Sequence, residues 1–326
     1  MTPCTRHLLF FTLTLALSLF LSACGQSAPD GPSGGEQKLT VFHAGSLSVP
    51  FKQIAEAFEK ANPGIDVQLE AAGSRTCARK ISDLGRRAEV MGSADYTVIN
   101  NLLIPEHASW NVRFAANEMT IVYTQHSDHG DELTAENWHE ILMRPDVAFG
   151  RADPNSDPCG YRSVLTMKLA EKYYGEEGLA ERMLRKDTKY IRPKETDLLA
   201  LLETGTLDYI FLYRSVARQH GLKYLLLPDD INLKKEEFAD AYAKATVEIS
   251  GKEPGTTITK RGAPMVYGIT VPNNAPHPKL GRKFVQFVLS EKGMAIMERN
   301  GQPSVLPAPS ETYDQIPQSL KKYATQ

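Results

Sequence analysis

Residue types able to do chemistry concentrate in one stretch, Asp153-Pro154-Asn155-Ser156-Asp157-Pro158-Cys159-Gly160-Tyr161-Arg162-Ser163. It follows the short apolar run Val147-Ala148-Phe149 and precedes a helical pattern from about Ser163 to Tyr174. Its prolines and glycine predict turns. A helix start presents unsatisfied backbone N–H groups and the positive end of a dipole, so the end of this stretch suits an anion. Yet two carboxylates, Asp153 and Asp157, share it, and a carboxylate repels an anion. A further acid, Glu195 in Arg192-Pro193-Lys194-Glu195, lies at or just before another predicted helix start. There, an acid favourable to the helix dipole is the plain alternative to a ligand contact.

The elements that must position these residues follow an α/β pattern. Lys38 to Phe42 reads as a strand running into His43-Ala44-Gly45-Ser46-Leu47-Ser48, then a helix over about Val49–Ala61 with Ile54, Ala57, Phe58 and Ala61 on one face. Ile65 to Leu69 is the next strand, and Gly73-Ser74-Arg75 opens a helix over about Thr76–Leu84. Two strand–turn–helix units thus each place a Gly-Ser pair at a helix head, the layout of a parallel sheet whose strand ends face a shared crevice. One such serine reads as an N-cap; two at the same sheet edge point to ligand contact. Leu207 to Tyr213 reads as a buried strand, with Tyr213 either a core aromatic or a hydroxyl offered to a pocket. Phe114 to Thr124 is expected to lead out of a first lobe and Gly262 to Val271 to return to it. The expected division is residues 38–123 with 269–326 as lobe 1, and 124–268 as lobe 2.

The 326 residues are enough for two lobes, and a net charge of −2 provides no basic field for nucleic acid. Arg6 precedes an apolar run from Leu8 to Leu21 that ends in Leu21-Ser22-Ala23-Cys24-Gly25. This is the layout of a signal peptide over residues 1–23. The Leu-Ser-Ala-Cys ending resembles a bacterial lipobox, which implies lipidation at Cys24; an ordinary signal peptide is the alternative. Residues 24–37, rich in Gly, Pro and Ser, read as a flexible tether. Cys77 and Cys159 are left in the folded part, as free thiols or as a disulfide. His126 and His129 with Asp128 and Asp131 have the residue types of a metal site, but a solvated loop is the expected reading. No phosphate loop, dinucleotide fingerprint, nucleophile elbow or Cys-x-x-Cys pair is present.

Several motifs in order resemble the tungstate/molybdate-binding proteins of ABC importers, most of all the tungstate-binding branch. They are Val41-Phe42-His43-Ala44-Gly45-Ser46-Leu47, Ala72-Gly73-Ser74-Arg75, Gly92-Ser93-Ala94-Asp95-Tyr96, the Asp153–Ser163 stretch, Arg192-Pro193-Lys194-Glu195 and Tyr209-Ile210-Phe211-Leu212-Tyr213-Arg214-Ser215. The resemblance implies a two-lobed type II periplasmic-binding-protein fold with a hinge and an interlobe ligand cleft. It implies that Gly45, Ser46, Ser74, Asp157, Pro158, Cys159, Glu195 and Tyr213 hold an oxyanion. Asp157 rather than Asp153 is preferred because it directly precedes Pro-Cys-Gly. The resemblance also resolves the electrostatic conflict: Asp157 and Glu195 would coordinate the W or Mo centre itself, expanding it to six-coordination. The charge would be offset by amides, helix starts and Arg75 or Arg162. Small-centred sulfate and phosphate would meet those carboxylates as repulsion. The expectation is a non-enzymatic, exported, lipid-anchored monomer that delivers tungstate or molybdate to an ABC permease and needs no cofactor. The alternatives are a binding protein for sulfate or phosphate, a secreted hydrolase using Asp153, Asp157 and Glu195, and a structural lipoprotein.

Overall fold

The structure, a computed structural model, describes residues 37–326; the expected leader, the Cys24 lipidation site and the tether as far as residue 36 lie outside the described residues. The chain opens as strand–helix repeats: β1 (Gln37–Ala44), α1 (Ser48–Ala61), β2 (Ile65–Ala72), α2 (Ser74–Ser82), β3 (Val90–Ser93), α3 (Tyr96–Leu102) and β4 (Val112–Ala116). It then builds a second group: β5 (Met119–Tyr123), α4 (Trp138–Leu142), β6 (Phe149–Ala152), α5 (Pro158–Tyr174), α6 (Leu179–Lys186), β7 (Ile191–Arg192), α7 (Leu199–Glu203), β8 (Tyr209–Tyr213), α8 (Arg214–Gln219) and β9 (Lys223–Leu226). The short helix α9 (Ala239–Tyr242) leads to a hairpin, β10 (Thr246–Ser250) and β11 (Thr257–Arg261). The chain returns through β12 (Val266–Thr270) to α10 (Pro278–Val288) and α11 (Glu291–Arg299).

Two five-stranded mixed sheets result, ordered β2-β1-β3-β12-β4 and β7-β6-β8-β5-β9. In the first, β1 is parallel to β2 and β3, and the returning β12 runs antiparallel to β3 and β4. In the second, β6 is parallel to β7 and β8, and β5 is antiparallel to β8 and β9. The α/β class with two sheets is as expected from the sequence. The crossings between sheets fall earlier. β5, expected in the first lobe, pairs in the second sheet, and all of Val266–Thr270 pairs in the first. The apolar alternation from Phe114 to Tyr123 runs through the crossing, and its one mark is the buried polar pair Asn117-Glu118.

Amphipathic spacing explains the packing of the first sheet's helices. Phe51, Ile54, Ala55 and Phe58 recur at three- and four-residue intervals and form the buried face of α1. Phe58 and Phe51 meet Phe284 of α10 edge-on, at centroid distances of 5.2 and 6.3 Å. Phe284→Ala should therefore destabilise the protein by about 3–5 kcal/mol, the usual cost of emptying a buried aromatic site. Urea unfolding followed by far-UV circular dichroism would measure it, and a loss below about 1 kcal/mol would contradict this packing.

Candidate functional site

Helix α5 starts at Pro158, five residues before the expected Ser163, because Asp157 is its N-cap and Pro158 fills its first turn. The Asp157 Oδ1 accepts from Cys159 N–H at 2.6 Å. Gly160 sits where a Cβ would lie 2.4 Å from the Asp153 carbonyl carbon, so only glycine lets the helix start press on that turn. Asp153 is a turn former: its carboxylate accepts from Asn155 N–H and Ser156 Oγ, both at 2.9 Å. The two acids of the stretch are thereby separated in role, and Asp157 is the buried one, 1 % exposed.

Glu195, also 1 % exposed, heads the turn before α7 and reaches the first sheet's Gly45. A Cβ on Gly45 would lie 2.7 Å from Glu195 Oε2. Neither Glu195 oxygen meets a hydrogen-bond donor among the described residues. Its acidic neighbour is Asp157, whose carboxyl is pushed well above the usual range by burial first and by the Glu195 charge second. A buried carboxylate without a donor is costly in an apolar interior.

The hydroxyls around this pair show the opposite imbalance. Ser46 Oγ accepts from Tyr267 OH at 3.0 Å, and Tyr267 OH in turn accepts from Asn117 Nδ2 at 2.8 Å. Ser74 Oγ accepts from Ala94 N–H at 3.0 Å. Tyr213 OH accepts from Arg162 Nη1 at 2.9 Å. All three oxygens are fully buried and already accept a bond, and among the described residues none of the three donates its own proton to a protein group. Neither serine caps its helix: α1 is preceded by a 3-10 turn at Gly45–Leu47 and Gly73 is the N-cap of α2, without a side-chain cap bond in either case. The chain therefore gathers three donor hydroxyls and two buried carboxyls, of which Glu195 is the unsatisfied one.

The parts come from both sheets, which touch around the site. Thr76 N–H donates to Ser156 O at 3.2 Å, and Arg75 Nε donates to Asn155 O at 2.9 Å. Asp95, after β3, receives Tyr161 OH and Lys260 Nζ, both at 2.6 Å. Burial alone would raise the Asp95 carboxyl; Lys260 and Arg162 overrule it and hold it below the usual range.

The sequence matches the family of bacterial extracellular solute-binding proteins over residues 39–302. This chain belongs to that family. A solute-binding protein of Petrotoga mobilis is 55 % identical over 287 residues, covering 88 % of this chain and 89 % of its own. The molybdate/tungstate-binding protein WtpA of Thermococcus kodakarensis is 41 % identical, covering 96 % of this chain and 95 % of its own. Among solved structures, the periplasmic molybdate-binding protein of Azotobacter vinelandii aligns with a TM-score of 0.59 over 81 % of this chain and 98 % of its own; at 14 % identity it supports the type II periplasmic-binding-protein fold alone.

In this solute-binding protein the eight residues named from sequence are all buried. Gly45 and Glu195 meet, and Asp157, Pro158 and Cys159 form the adjoining helix start. Cys77 and Cys159 are free thiols, donating to His43 O at 3.4 Å and Phe211 O at 3.6 Å. His129 is spent on Glu132 and Asp146, both at 2.9 Å, and among the described residues the ligand atoms of His126, Asp128, His129 and Asp131 do not converge on one point. Sequence reasoning missed Tyr267 and Asn117. Nothing in the alternating apolar strand marks Tyr267, whereas a polar Asn117-Glu118 interruption was a usable signal.

The raised Asp157 carboxyl binds its proton more tightly in the folded chain than in the unfolded one. Its contribution to stability is complete below the unfolded pKa and is lost as pH rises toward the folded value. Asp157→Asn keeps a capping oxygen and removes that loss. In the ligand-free protein, its melting-temperature gain over the parent should grow as pH rises above about 4, near the unfolded aspartate pKa. Scanning calorimetry tests this, and a pH-independent difference would refute it.

Proposed function

We propose that this solute-binding protein captures tungstate or molybdate between its two lobes and delivers it to an ABC permease. The observation that carries the reading is the donor and acceptor inventory: buried hydroxyls whose protons are free, beside Glu195 oxygens that no protein group satisfies. Hydroxyl and amide donors suit oxo groups. Carboxylates beside them suit a metal centre with room for further oxygen ligands. Ser46, Ser74, Tyr213 and the amides at Gly45 and at Pro158-Cys159 would hold the oxo groups, and Asp157 and Glu195 would add their oxygens to W or Mo. The name of the Thermococcus kodakarensis relative is consistent with this cargo.

Sulfate or phosphate is disfavoured by the same residues. Two like unit charges about 4 Å apart repel by about 4 kcal/mol at an effective dielectric of about 20, and a dianion meeting two carboxylates incurs several such terms. A metal–oxygen bond offsets that repulsion, and a small non-metal centre offers none. The protein performs no reaction in this reading. Its expected setting is outside the cytoplasmic membrane, tethered as a monomer through lipid on Cys24.

Calorimetric titration of protein lacking residues 1–24 with tungstate, molybdate, sulfate and phosphate tests the proposal. Tungstate and molybdate should bind tightly and the other two weakly. Glu195→Gln should weaken tungstate by at least ~100-fold, since even outer-sphere partners of a metal are worth about 10–100-fold. Sulfate binding as tight as tungstate, or an unweakened Gln variant, would overturn it.

A further inference from the structure

Arg162 lies in the first turns of α5, 3 % exposed, and its bonds leave the helix in two directions. One Nη1 donates to Tyr213 OH at 2.9 Å within the second lobe and to Ala94 O at 2.8 Å in the first. The same Ala94 donates the N–H of its preceding peptide unit to Ser74 Oγ at 3.0 Å. One guanidinium thus reaches two of the three donor hydroxyls: Tyr213 directly, and Ser74 through one residue of the other lobe, Ala94, whose C=O it binds and whose N–H holds Ser74.

The chemistry of the group makes this directional. Arginine donates and never accepts. A phenol oxygen that accepts from it cannot point its own proton back at it, so the Tyr213 proton is turned away from Arg162. Cys159 and Asp157, at the head of α5, are among the neighbours whose fields reach the Tyr213 hydroxyl. Arg162 also stays cationic among partners that do not cancel it. Asp95 lies 3.7 Å from Nη2 but is shared with Lys260 at 2.6 Å, so one carboxylate faces two cations. A net positive charge is left buried at hydrogen-bond distance from the Tyr213 hydroxyl.

We propose that Arg162 is a positioning residue for the oxyanion: it fixes Tyr213 as a donor, ties it to Ser74 across the two lobes, and sets affinity without touching the anion. This rests on the oxyanion reading above. A hydrogen bond to a charged group is worth about 1.5–3 kcal/mol, or roughly 10–150-fold in affinity.

The test is a double-substitution cycle on the protein, read by tungstate calorimetry, with a ligand-free arm. Arg162→Met should weaken tungstate by ~100-fold, and Arg162→Lys, which restores one donor, should recover ~10-fold of that. Against a Tyr213→Phe background, Arg162→Met should cost less than ~10-fold, because its main effect runs through the missing hydroxyl. Fully additive losses, or a Lys variant no better than Met, would sink the proposal, since a purely structural role predicts both. If Arg162→Met does not fold, the cycle is run with Arg162→Lys, whose loss should vanish in Tyr213→Phe; a persisting loss counts against the proposal. The ligand-free arm is the 13Cζ resonance of Tyr213, which lies in the same lobe as Arg162. It should shift in either Arg162 variant, and an unmoved resonance would overturn the contact. Should the parent protein bind no tungstate, the cargo reading fails, while this resonance still decides whether Arg162 polarises Tyr213.

Discussion

A buried carboxylate with nothing to donate to it is the constraint on which the rest of this structure depends. Glu195 is placed against Gly45, where a methyl group would collide with its carboxyl, so close approach is built into the backbone. Around it, the protein spends its donors elsewhere: Cys159 N–H on Asp157, Ala94 N–H on Ser74, Tyr267 on Ser46, Arg162 on Tyr213. Leaving an acidic oxygen unsatisfied costs about 1–3 kcal/mol or more. Such a cost is tolerable at a place whose partner arrives from outside, and destabilising anywhere else. The imbalance is local and two-sided, with spare protons on hydroxyls and spare lone pairs on carboxyls that do not satisfy one another. A ligand presenting oxygens around an electropositive centre completes both sets at once.

The contacts between the lobes give that arrangement its mechanics. Asp95 from the first lobe takes Tyr161, Lys260 and Arg162 from the second, and Arg75 and Thr76 take the Asn155 and Ser156 carbonyls. The β10–β11 hairpin extends the same seam, with Ser250 on Arg75 and Lys252 on Glu106 at 2.6 Å. Stripping one partner from a buried ion pair costs about 3–5 kcal/mol, because a desolvated charge is left behind. Asp95 escapes that cost when the lobes part, since water can reach it. The seam therefore favours closure only moderately, and a ligand that binds both lobes can decide the equilibrium.

How far the sequence could be read follows from the range of each interaction. Gly45-Ser46, Gly73-Ser74 and Asp157-Pro158-Cys159-Gly160 were legible because their chemistry is local: a turn that needs glycine, a capping acid, a proline in a first helical turn. The order of the motifs carried the two-lobed fold. The start of α5 was placed five residues late because Asp-Pro-Cys-Gly has the composition of a turn, and the burial that makes it helical comes from the Asp153 backbone beneath Gly160. The lobe crossing was placed late because hydrophobic alternation is blind to which sheet a strand joins. Tyr267 was invisible, since its bond to Ser46 spans 221 positions and nothing local announces it.

The same distinction separates fold from cargo. A likeness to a molybdate-binding protein at 14 % identity fixes where two sheets and a cleft lie, not what fills the cleft. Oxyanion scaffolds of this kind present helix starts and hydroxyls to any tetrahedral anion, because those donors answer to oxygen alone. Discrimination must come from groups that answer to the central atom. In the proposed reading those are the carboxyls of Asp157 and Glu195, both buried, with the Glu195 oxygens lacking a donor among the described residues. Supplying Glu195 with a neighbouring amide would stabilise the protein and, in that reading, soften the repulsion of lesser anions. In that reading the cost of leaving Glu195 unsatisfied is the physical form that selectivity takes.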